Sequence, residues 1–452
     1  MRRDPLLWAA VAAYWVLFFW LGSLRYALHR NFVDLGIFAQ TTVSAFGCFC
    51  NPVEGSHWAY HFSPVLYLAG ALMHLWRSPL TLIALQALAG ALTAPPVYDI
   101  LARRTDRHTA RMGALVVLLY PPLAGAIFND FHENGLAAAA VAWLLWAFDA
   151  RRPVLTVVFL ALTLAIKEDQ ALFVFIAAVA GALAYRNDPL RVRLCMLGGA
   201  TAAVCFAVFF AVIQPQAAHL AAPGWAPSRF YAWTSADWHA LFPRGVLDRL
   251  GFIALAFLPL WFLPFRTPAA LVIIAPIAEV LASRMSTTYT TGSHYAGAWA
   301  GWVLYAFAAG AAALWRQSPR RAHVALYACV ALCVLEFAIA NPLHPGFFLR
   351  GDRRAGAALD AFIAALPSGI SLATQEEAYT HMAAMDPNVT VLPEDSHTPL
   401  RVCYVLTDTA FPASARLVES APLVAKLAHD GTAVTERVAG PITLYKLRTG
   451  CR

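Results

Sequence analysis

Residues 154–184 read VLTVVFLALTLAI-KED-QALFVFIAAVAGALA, two apolar runs separated by the consecutive charges Lys167, Glu168 and Asp169. Runs of this character belong in hydrocarbon, where a charge is costly unless it pairs, lines a wet cavity or does chemistry. One stretch thus gives both the fold class, a membrane helical hairpin, and the first candidate site, its charged turn. The run 154–166 has 13 residues, short of the ~20 that a full crossing needs, so the turn is expected to dip below the headgroups. Of 33 Lys plus Arg residues only Lys167, Lys426 and Lys446 are lysines, and the last two lie in a polar tail. The membrane half therefore holds a single lysine.

Composition extends the reading to the whole chain. With 60% hydrophobic and 13% charged residues, an ordinary soluble surface is excluded, and a polytopic, mainly α transmembrane protein is predicted. Segment 6–24, after Arg2 and Arg3, is too long for a signal-peptide core. It runs into Arg25-Tyr26-Ala27-Leu28-His29-Arg30 without a small-residue cleavage pattern, so it is expected to stay as a span. Apolar density continues to about residue 340, after which Asp, Glu, Pro and Ser rise. The division predicted is a transmembrane domain over 1–340 and a soluble domain over 341–452. The latter alternates helix-like and strand-like pieces at 355–366, 370–374, 389–392, 402–407, 423–429 and 442–447, the pattern of a small α/β unit. It carries no nucleotide loop or nucleophile elbow, which leaves acceptor binding or a covering lid.

Arginine clusters orient the spans, because basic residues concentrate on the cytoplasmic side. If 64–76 crossed, Arg103, Arg104, Arg107 and Arg111 would fall outside. Segment 64–76 is instead read as a helix lying along the outer surface, with Ser63 as cap and Pro64 at its first position, and 80–101 crosses inward. The result is about eleven spans, N-terminus in and C-terminal domain out. Arg2/Arg3, Arg103/Arg104/Arg107, Arg151/Arg152, Arg186/Arg191/Arg193, Arg266 and Arg316/Arg320/Arg321 all lie inside. The polar motifs then share the outer face: Asp34, His57, His61, Asn129 through Glu133, the Lys167 turn, the loop 214–247, and Arg284 through Tyr295. Motifs from several hairpins converging on one face beneath a soluble domain describe a site at a membrane surface.

Val33-Asp34-Leu35-Gly36-Ile37-Phe38, His61-Phe62-Ser63-Pro64, Tyr120-Pro121, Asp130-Phe131-His132, Lys167-Glu168-Asp169 and His294-Tyr295 resemble, in order, the successive motifs of the bacterial predicted membrane proteins called domain of unknown function family 2079. The layout also resembles the fold-type-C (GT-C) glycosyltransferases, which include protein O-mannosyltransferases and the aminoarabinose transferase of lipid A. Those enzymes have a long first outer loop with an essential acid, surface-lying helices and an extracytoplasmic C-terminal domain. They take sugars from polyprenyl-phosphate donors. The resemblance implies an inner-membrane glycosyltransferase of the cell envelope that acts on an extracytoplasmic lipid, glycan or protein acceptor.

Such a transfer needs a base for the acceptor proton, positive charge or hydrogen-bond donors for the leaving phosphate, and an apolar groove for the lipid. Asp34 begins Asp34-Leu35-Gly36-Ile37-Phe38-Ala39-Gln40, whose spacing suits a surface helix. Asp34 either caps that helix or acts as the base, and the resemblance favours the base. Lys167 suits phosphate as a compact point charge; the alternative is a self-neutralising turn with Glu168 and Asp169. Arg284 is a second phosphate candidate or an interface-snorkelling arginine. Glu168, Asp169, His61, Asp130, His132, His294 and Tyr295 are read as contacting the substrate, with the histidines hydrogen-bonding its phosphate or hydroxyls. A divalent cation at Asp130 and His132 stays open, although His57 and His61 do not evidently share a helical face and the first loop has no DxD motif.

The loop 214–247 carries Trp225, Phe230, Tyr231, Trp233 and Trp238, an interfacial belt or a sugar-stacking platform. Cys403 and Cys451 are expected on the oxidising side and able to pair, whereas pairing within Cys48-Phe49-Cys50 is expected to be strained. Cys195, Cys205, Cys329 and Cys333 read as membrane packing. The rivals are a transporter or flippase, against which the absence of an internal repeat and the one-sided motifs speak, and a non-catalytic scaffold. The net charge of +7 belongs largely to the anchoring clusters and fits anionic membrane lipids, not nucleic acid.

Overall fold

Four long helices open on the same two-residue rule. Asp4-Pro5, Ser78-Pro79, Asp188-Pro189 and Ser318-Pro319 place a capping side chain before a proline. The caps accept hydrogen bonds from the backbone N–H groups of Leu6, Leu80, Arg191 and Arg321. Proline fits where an N–H would have no intrahelical partner. The computed structural model describes residues 4–221, 244–393, 400–411, 415–429 and 431–448. Among them, five helices are long and apolar enough to cross a membrane: Pro5–Ala27, Pro79–Ala102, Pro189–Leu220, Ala296–Gln317 and Pro319–Ala340. The pair Arg107–Leu119 and Pro121–Phe128, bent by 45° at Tyr120-Pro121, makes a sixth if counted as one span. Shorter apolar helices, Asn134–Asp149 and Pro153–Leu164 among them, fill the bundle.

Burial ranks these helices from centre to rim. The apolar window of Ala296–Gln317 is 89% enclosed, against 22% for Pro189–Leu220, so the former is the axis of the bundle and the latter faces outward. Trp299 and Trp302 of the axial helix are fully buried. At one end of the bundle the arginines find carboxylates. Arg111 meets Asp4 at 2.9 Å, Arg103 and Arg104 converge on Asp149, and Arg151 meets Asp188 at 2.6 Å. Arg191 reaches the carbonyl of Asp149 at 3.0 Å. Arg103, Arg104, Arg151 and Arg191 therefore gather at one end, while Arg2 and Arg3 lie outside the described residues.

At the other end the connection after the first helix folds over the bundle. It contains the helix Val33–Val43, a two-stranded ribbon of Cys50–Asn51 against Gly55–Ser56, and the helix Leu66–Leu75. Asp34 does open a helix, as its spacing suggested. Ser63 does not cap the next one. That helix begins two residues after Pro64, because the Val65 N–H bonds across to the Ala165 carbonyl at 2.8 Å. Cys48 and Cys50 are disulfide-bonded, contrary to the expectation from sequence. Phe49 between them is left-handed (φ 48°), and its buried ring packs against His57, Trp58 and Tyr67. Packing fixes the turn and brings the two Cα atoms to 5.2 Å.

The chain beyond the last long helix builds a five-stranded sheet ordered Val389–Val391, Leu372–Thr374, Tyr404–Asp408, Ile442–Leu447, Ala433–Ala439. The first three strands run parallel, and the last two form an antiparallel hairpin turning at Gly440 (φ 61°). The helices Arg353–Ala364 and Glu376–Met382 carry it onto the first connection. One hydrophobic core holds Leu35, Phe38 and Phe49 of that connection together with Leu372, Tyr379 and Val389 of the sheet unit. Gln40 Nε2 donates to the carbonyls of Asp386 and Val389 at 3.2 and 2.7 Å, and Tyr379 OH donates to Gln40 Oε1 at 2.7 Å. Cys451 and the aromatics Trp225 through Trp238 lie outside the described residues.

Gly36 is where this docking is tightest, since a Cβ there would run into the Tyr379 ring. Gly36→Ala is predicted to cost about 1–3 kcal/mol by overpacking. Thermal unfolding in detergent should show a lowered midpoint together with protease sensitivity of the C-terminal unit; an unchanged midpoint would contradict the packing described.

Candidate active site

Asp130 organises the site by what it holds. Arg25, 1% exposed at the end of the first long helix, donates to Asp130 Oδ1 at 2.5 Å, and Asn31 donates to the same oxygen at 3.0 Å. The second oxygen accepts the Leu35 backbone N–H at 3.1 Å. Asp130 thus caps the helix Val33–Val43 from a distant part of the chain, and the residue at the N-cap position, Phe32, has no side chain able to do it. That division of labour leaves the Asp34 carboxylate, in the first turn, free of a capping role. Asp34 is 34% exposed and approaches His294 Nδ1 at 4.0 Å.

A chain of contacts runs inward from Asp34. The His294 ring stacks on His132 at 4.1 Å and lies 4.2 Å from Tyr295. His132 Nδ1 sits 3.0 Å from Glu133 Oε2, and Lys167 Nζ sits 3.6 Å from Glu133 Oε1. Lys167 occupies the N-cap position of the helix Glu168–Ala184, extended where the short helix Pro153–Leu164 ends. Glu168 accepts from His61 Nδ1 and from the Phe62 N–H, both at 2.9 Å, and so clamps the first connection to this helix start. Gln170 donates to the Ala298 carbonyl and accepts from Trp302 Nε1, both at 3.2 Å, which ties the same turn to the axial helix.

The electrostatics follow from burial and from this crowding. Burial raises the Asp34 carboxyl, and the carboxylates of Asp130, Glu54 and Glu133 add to it against Arg25, giving a pKa of about 7. Burial, with the positive charge of Lys167 and His61, lowers His294 to about 3, so its contact with Asp34 joins a neutral imidazole to a carboxyl. Burial disfavours the Lys167 ammonium, but Glu133, Asp169 and Glu168 outweigh it and hold the amine above its ordinary value. Lys167 is therefore charged. At 3.6 Å, Glu133 is beyond the ~2.7–2.9 Å of a tight charge-assisted hydrogen bond, so it neutralises without locking the ammonium.

A cavity of about 630 Å³ opens beside this turn. Its polar end is lined by His61, His132, Lys167, Glu168, Asp169 and Tyr295. Leu172, Phe173 and Ile176, farther along the helix that Lys167 begins, continue it, together with Phe206 and Phe210. The result is an amphipathic slot with a cation at its head and an aliphatic and aromatic wall below. Arg284 is exposed between Ser283 and Met285, which line the cavity, and is not itself part of the lining. Asp130 faces Arg25, Asn31 and Leu35, not the cavity. Among the described residues, neither Asp130 nor His132 belongs to a group of three side chains placed closely enough to hold a metal ion.

Arg25 and Gln86 are participants that the sequence reading does not single out. Arg25 read as a helix-end arginine, and nothing in its neighbours announces a partner 105 residues away. Gln86 donates to the carbonyls of Ile127 and Asn129, both at 3.1 Å, and accepts the His132 N–H at 3.0 Å, shaping the loop that carries Asp130 through Glu133. A lone glutamine within an apolar helix was the available signal. Glu133 is fully buried between His132 and Lys167.

The fold has relatives of known structure. ArnT from Cupriavidus metallidurans bound to undecaprenyl phosphate superimposes with a TM-score of 0.59 at 12% identity over 99% of this chain and 98% of that one. Its apo state gives 0.55 at 14% identity over 96% and 98%. At such identities the likeness concerns the fold. No curated protein matches the sequence. The profile described as predicted membrane protein (DUF2079) matches residues 25–395, which takes in every motif from Asp34 to Tyr295, and the chain belongs to that family.

Proposed function

We propose that this protein is an integral-membrane glycosyltransferase that moves a sugar from a polyprenyl-phosphate donor to an acceptor hydroxyl on the extracytoplasmic side. The observation that carries the reading is the slot: a charged lysine at the head of an apolar groove matches a phosphate joined to an isoprenoid chain. The ArnT fold, solved with undecaprenyl phosphate, supports it. The donor phosphate sits at Lys167 with His61 beside it, the polyprenyl chain lies along Leu172, Ile176, Phe206 and Phe210, and the sugar extends toward His132, His294, Tyr295 and Asp34. The acceptor oxygen attacks the anomeric carbon, and its proton passes to Asp34. The bond between that carbon and the phosphate oxygen breaks, and polyprenyl phosphate leaves with its new negative charge against Lys167.

Glu168 and Asp130 are positioning residues, the first for His61 and the second for Asp34. In this reading the short helices of the bundle also cross, giving about eleven spans in a bacterial inner membrane. The N-terminus and the basic end lie inside, and residues 341–452 form the unit outside, above the site. Arg284 is assigned to the outer mouth of the slot.

Purified protein with a panel of polyprenyl-phosphate sugars and candidate acceptors is predicted to release polyprenyl phosphate. Asp34→Asn should reduce turnover by ~10²–10⁴-fold, and Lys167→Ala by ~10²–10³-fold with weakened donor binding. Failure to bind or turn over any donor, together with flux of a lipid-linked substrate in proteoliposomes, would replace catalysis with transport.

A base with a pKa of about 7 works only when deprotonated, so kcat/KM should rise about tenfold per pH unit below that value and level off above it. The native state keeps the Asp34 proton up to about pH 7, whereas the unfolded carboxyl releases it near 3.8. Ionisation of Asp34 therefore lowers stability as pH rises through that window. Asp34→Asn should melt no lower than wild type at pH 8 while being inactive. A flat pH profile, or an inactive variant that melts lower, would count against Asp34 as the base.

A further inference from the structure

A second cavity, of about 130 Å³, lies against the same helix as the slot, Glu168–Ala184, but farther from Lys167. Small residues line much of it, Ala177, Ala180, Gly181 and Ala184 on that helix and Gly198 on the neighbouring Pro189–Val208. A Cβ at Gly198 would still lie 3.9 Å from its nearest neighbour, Leu160, so this space is left open by the absence of side chains. The floor is buried and apolar, built by Leu144, Leu145, Leu160, Val174 and Trp302. Ala184, Pro268 and Leu271 are exposed and form the open side. From Ala184 to Val174 the helix rises ~15 Å, half of the ~30 Å hydrocarbon core of a bilayer. The cavity therefore has the depth of one leaflet.

Its mouth lies at the arginine-rich end. Phe148 and Tyr185 line the cavity, and the Arg191 guanidinium lies 5.8 and 4.4 Å from their ring centres. Arg186 directly follows Tyr185, Arg193 directly precedes the lining residue Leu194, and both arginines are exposed. The nearby carboxylates already have partners: Asp149 meets Arg103 and Arg104, and Asp188 meets Arg151 at 2.6 Å. Among the described residues, neither Arg186 nor Arg193 has a carboxylate partner. An apolar cavity one leaflet deep, with unneutralised cations at its mouth, is complementary in length and charge to a lipid with an anionic headgroup. A zwitterionic lipid could use the apolar part but not the charge.

We propose that this cavity binds an anionic glycerophospholipid of the surrounding bilayer, with an acyl chain against Leu144, Leu160 and Val174 and the phosphate at Arg186 and Arg193. The site is separate from the slot at Lys167 and does not rest on the glycosyl-transfer reading. The lipid fills the space between the hairpin 168–208 and the segment 268–272, so its occupancy stabilises that side of the bundle.

The test uses full-length protein, delipidated in detergent and given dioleoylphosphatidylglycerol or dioleoylphosphatidylcholine, with native mass spectrometry and thermal unfolding as readouts. Phosphatidylglycerol should be retained at one lipid per chain, raise the melting temperature, and be preferred over phosphatidylcholine by roughly tenfold or more. Arg186→Gln combined with Arg193→Gln, both at exposed positions, should abolish that preference, whereas Lys at both positions should keep it. Ala184→Phe, at an exposed lining position, should reduce retention with both arginines intact. Inorganic phosphate alone should leave the melting temperature unchanged, and Lys167→Ala should leave phosphatidylglycerol binding unchanged. Equal retention of the two lipids, or retention of phosphatidylglycerol unaltered in the double glutamine variant, overturns the proposal. So does stabilisation by inorganic phosphate, which would assign a free anion to the arginines, or loss of binding in Lys167→Ala, which would place the lipid in the other slot.

Discussion

The buried pair of Arg25 and Asp130 is the interaction on which the end of this molecule opposite the arginine clusters depends. Taking two charges out of water is costly, and a pair repays it only when the remaining donors and acceptors are also met. Here they are: Arg25 also donates to the carbonyls of Phe128 and Arg30 and lies 4.0 Å above the Phe348 ring, while Asp130 takes up Asn31 and the Leu35 N–H. One carboxylate thereby joins the end of the first long helix, the loop before Asn134–Asp149 and the start of Val33–Val43. Removing either partner alone would strand a buried charge, at about 3–5 kcal/mol. The placement of Asp34 follows from this node, because a helix capped from elsewhere can leave its own first-turn acid for other work.

A second constraint acts at Lys167. The helix before it ends early, so the lysine enters a polar pocket at the head of an apolar slot, with Glu133 close enough to keep it charged and too far to bind it tightly. Neutral His294 and His132 separate this cation from Asp34, whose proton affinity is raised by its neighbours. A cation, an apolar wall and a carboxyl of near-neutral pKa thus form one continuous arrangement. The C-terminal unit packs against the same helix through Tyr379 and Gln40, which makes it a support for the site.

Much of this is legible in the chain because the physical signals are local. Asp-Pro and Ser-Pro mark helix starts, and arginine clusters mark one end of the bundle. The charge triplet marks a turn, and the apolar spacing after Asp34 marks a helix. What escapes is pairing over distance. Asp130 sits two residues from His132 and reads as a site or metal residue, yet its partner is Arg25, and no local pattern records that. Pairing of Cys48 with Cys50 reads as strained until the burial of Phe49 turns the backbone between them. Strand Ala433–Ala439 is exposed over six of its seven positions and lacks the apolar alternation that would announce it.

The most direct test of the central claim, that Lys167 heads a binding slot for a polyprenyl phosphate, is an experimental structure of the protein with undecaprenyl phosphate bound. The account predicts the phosphate within hydrogen-bonding distance of Lys167 Nζ and the first isoprene units against Leu172, Ile176 and Phe206. A lipid bound elsewhere, with Lys167 still facing Glu133 and the slot closed, would contradict it.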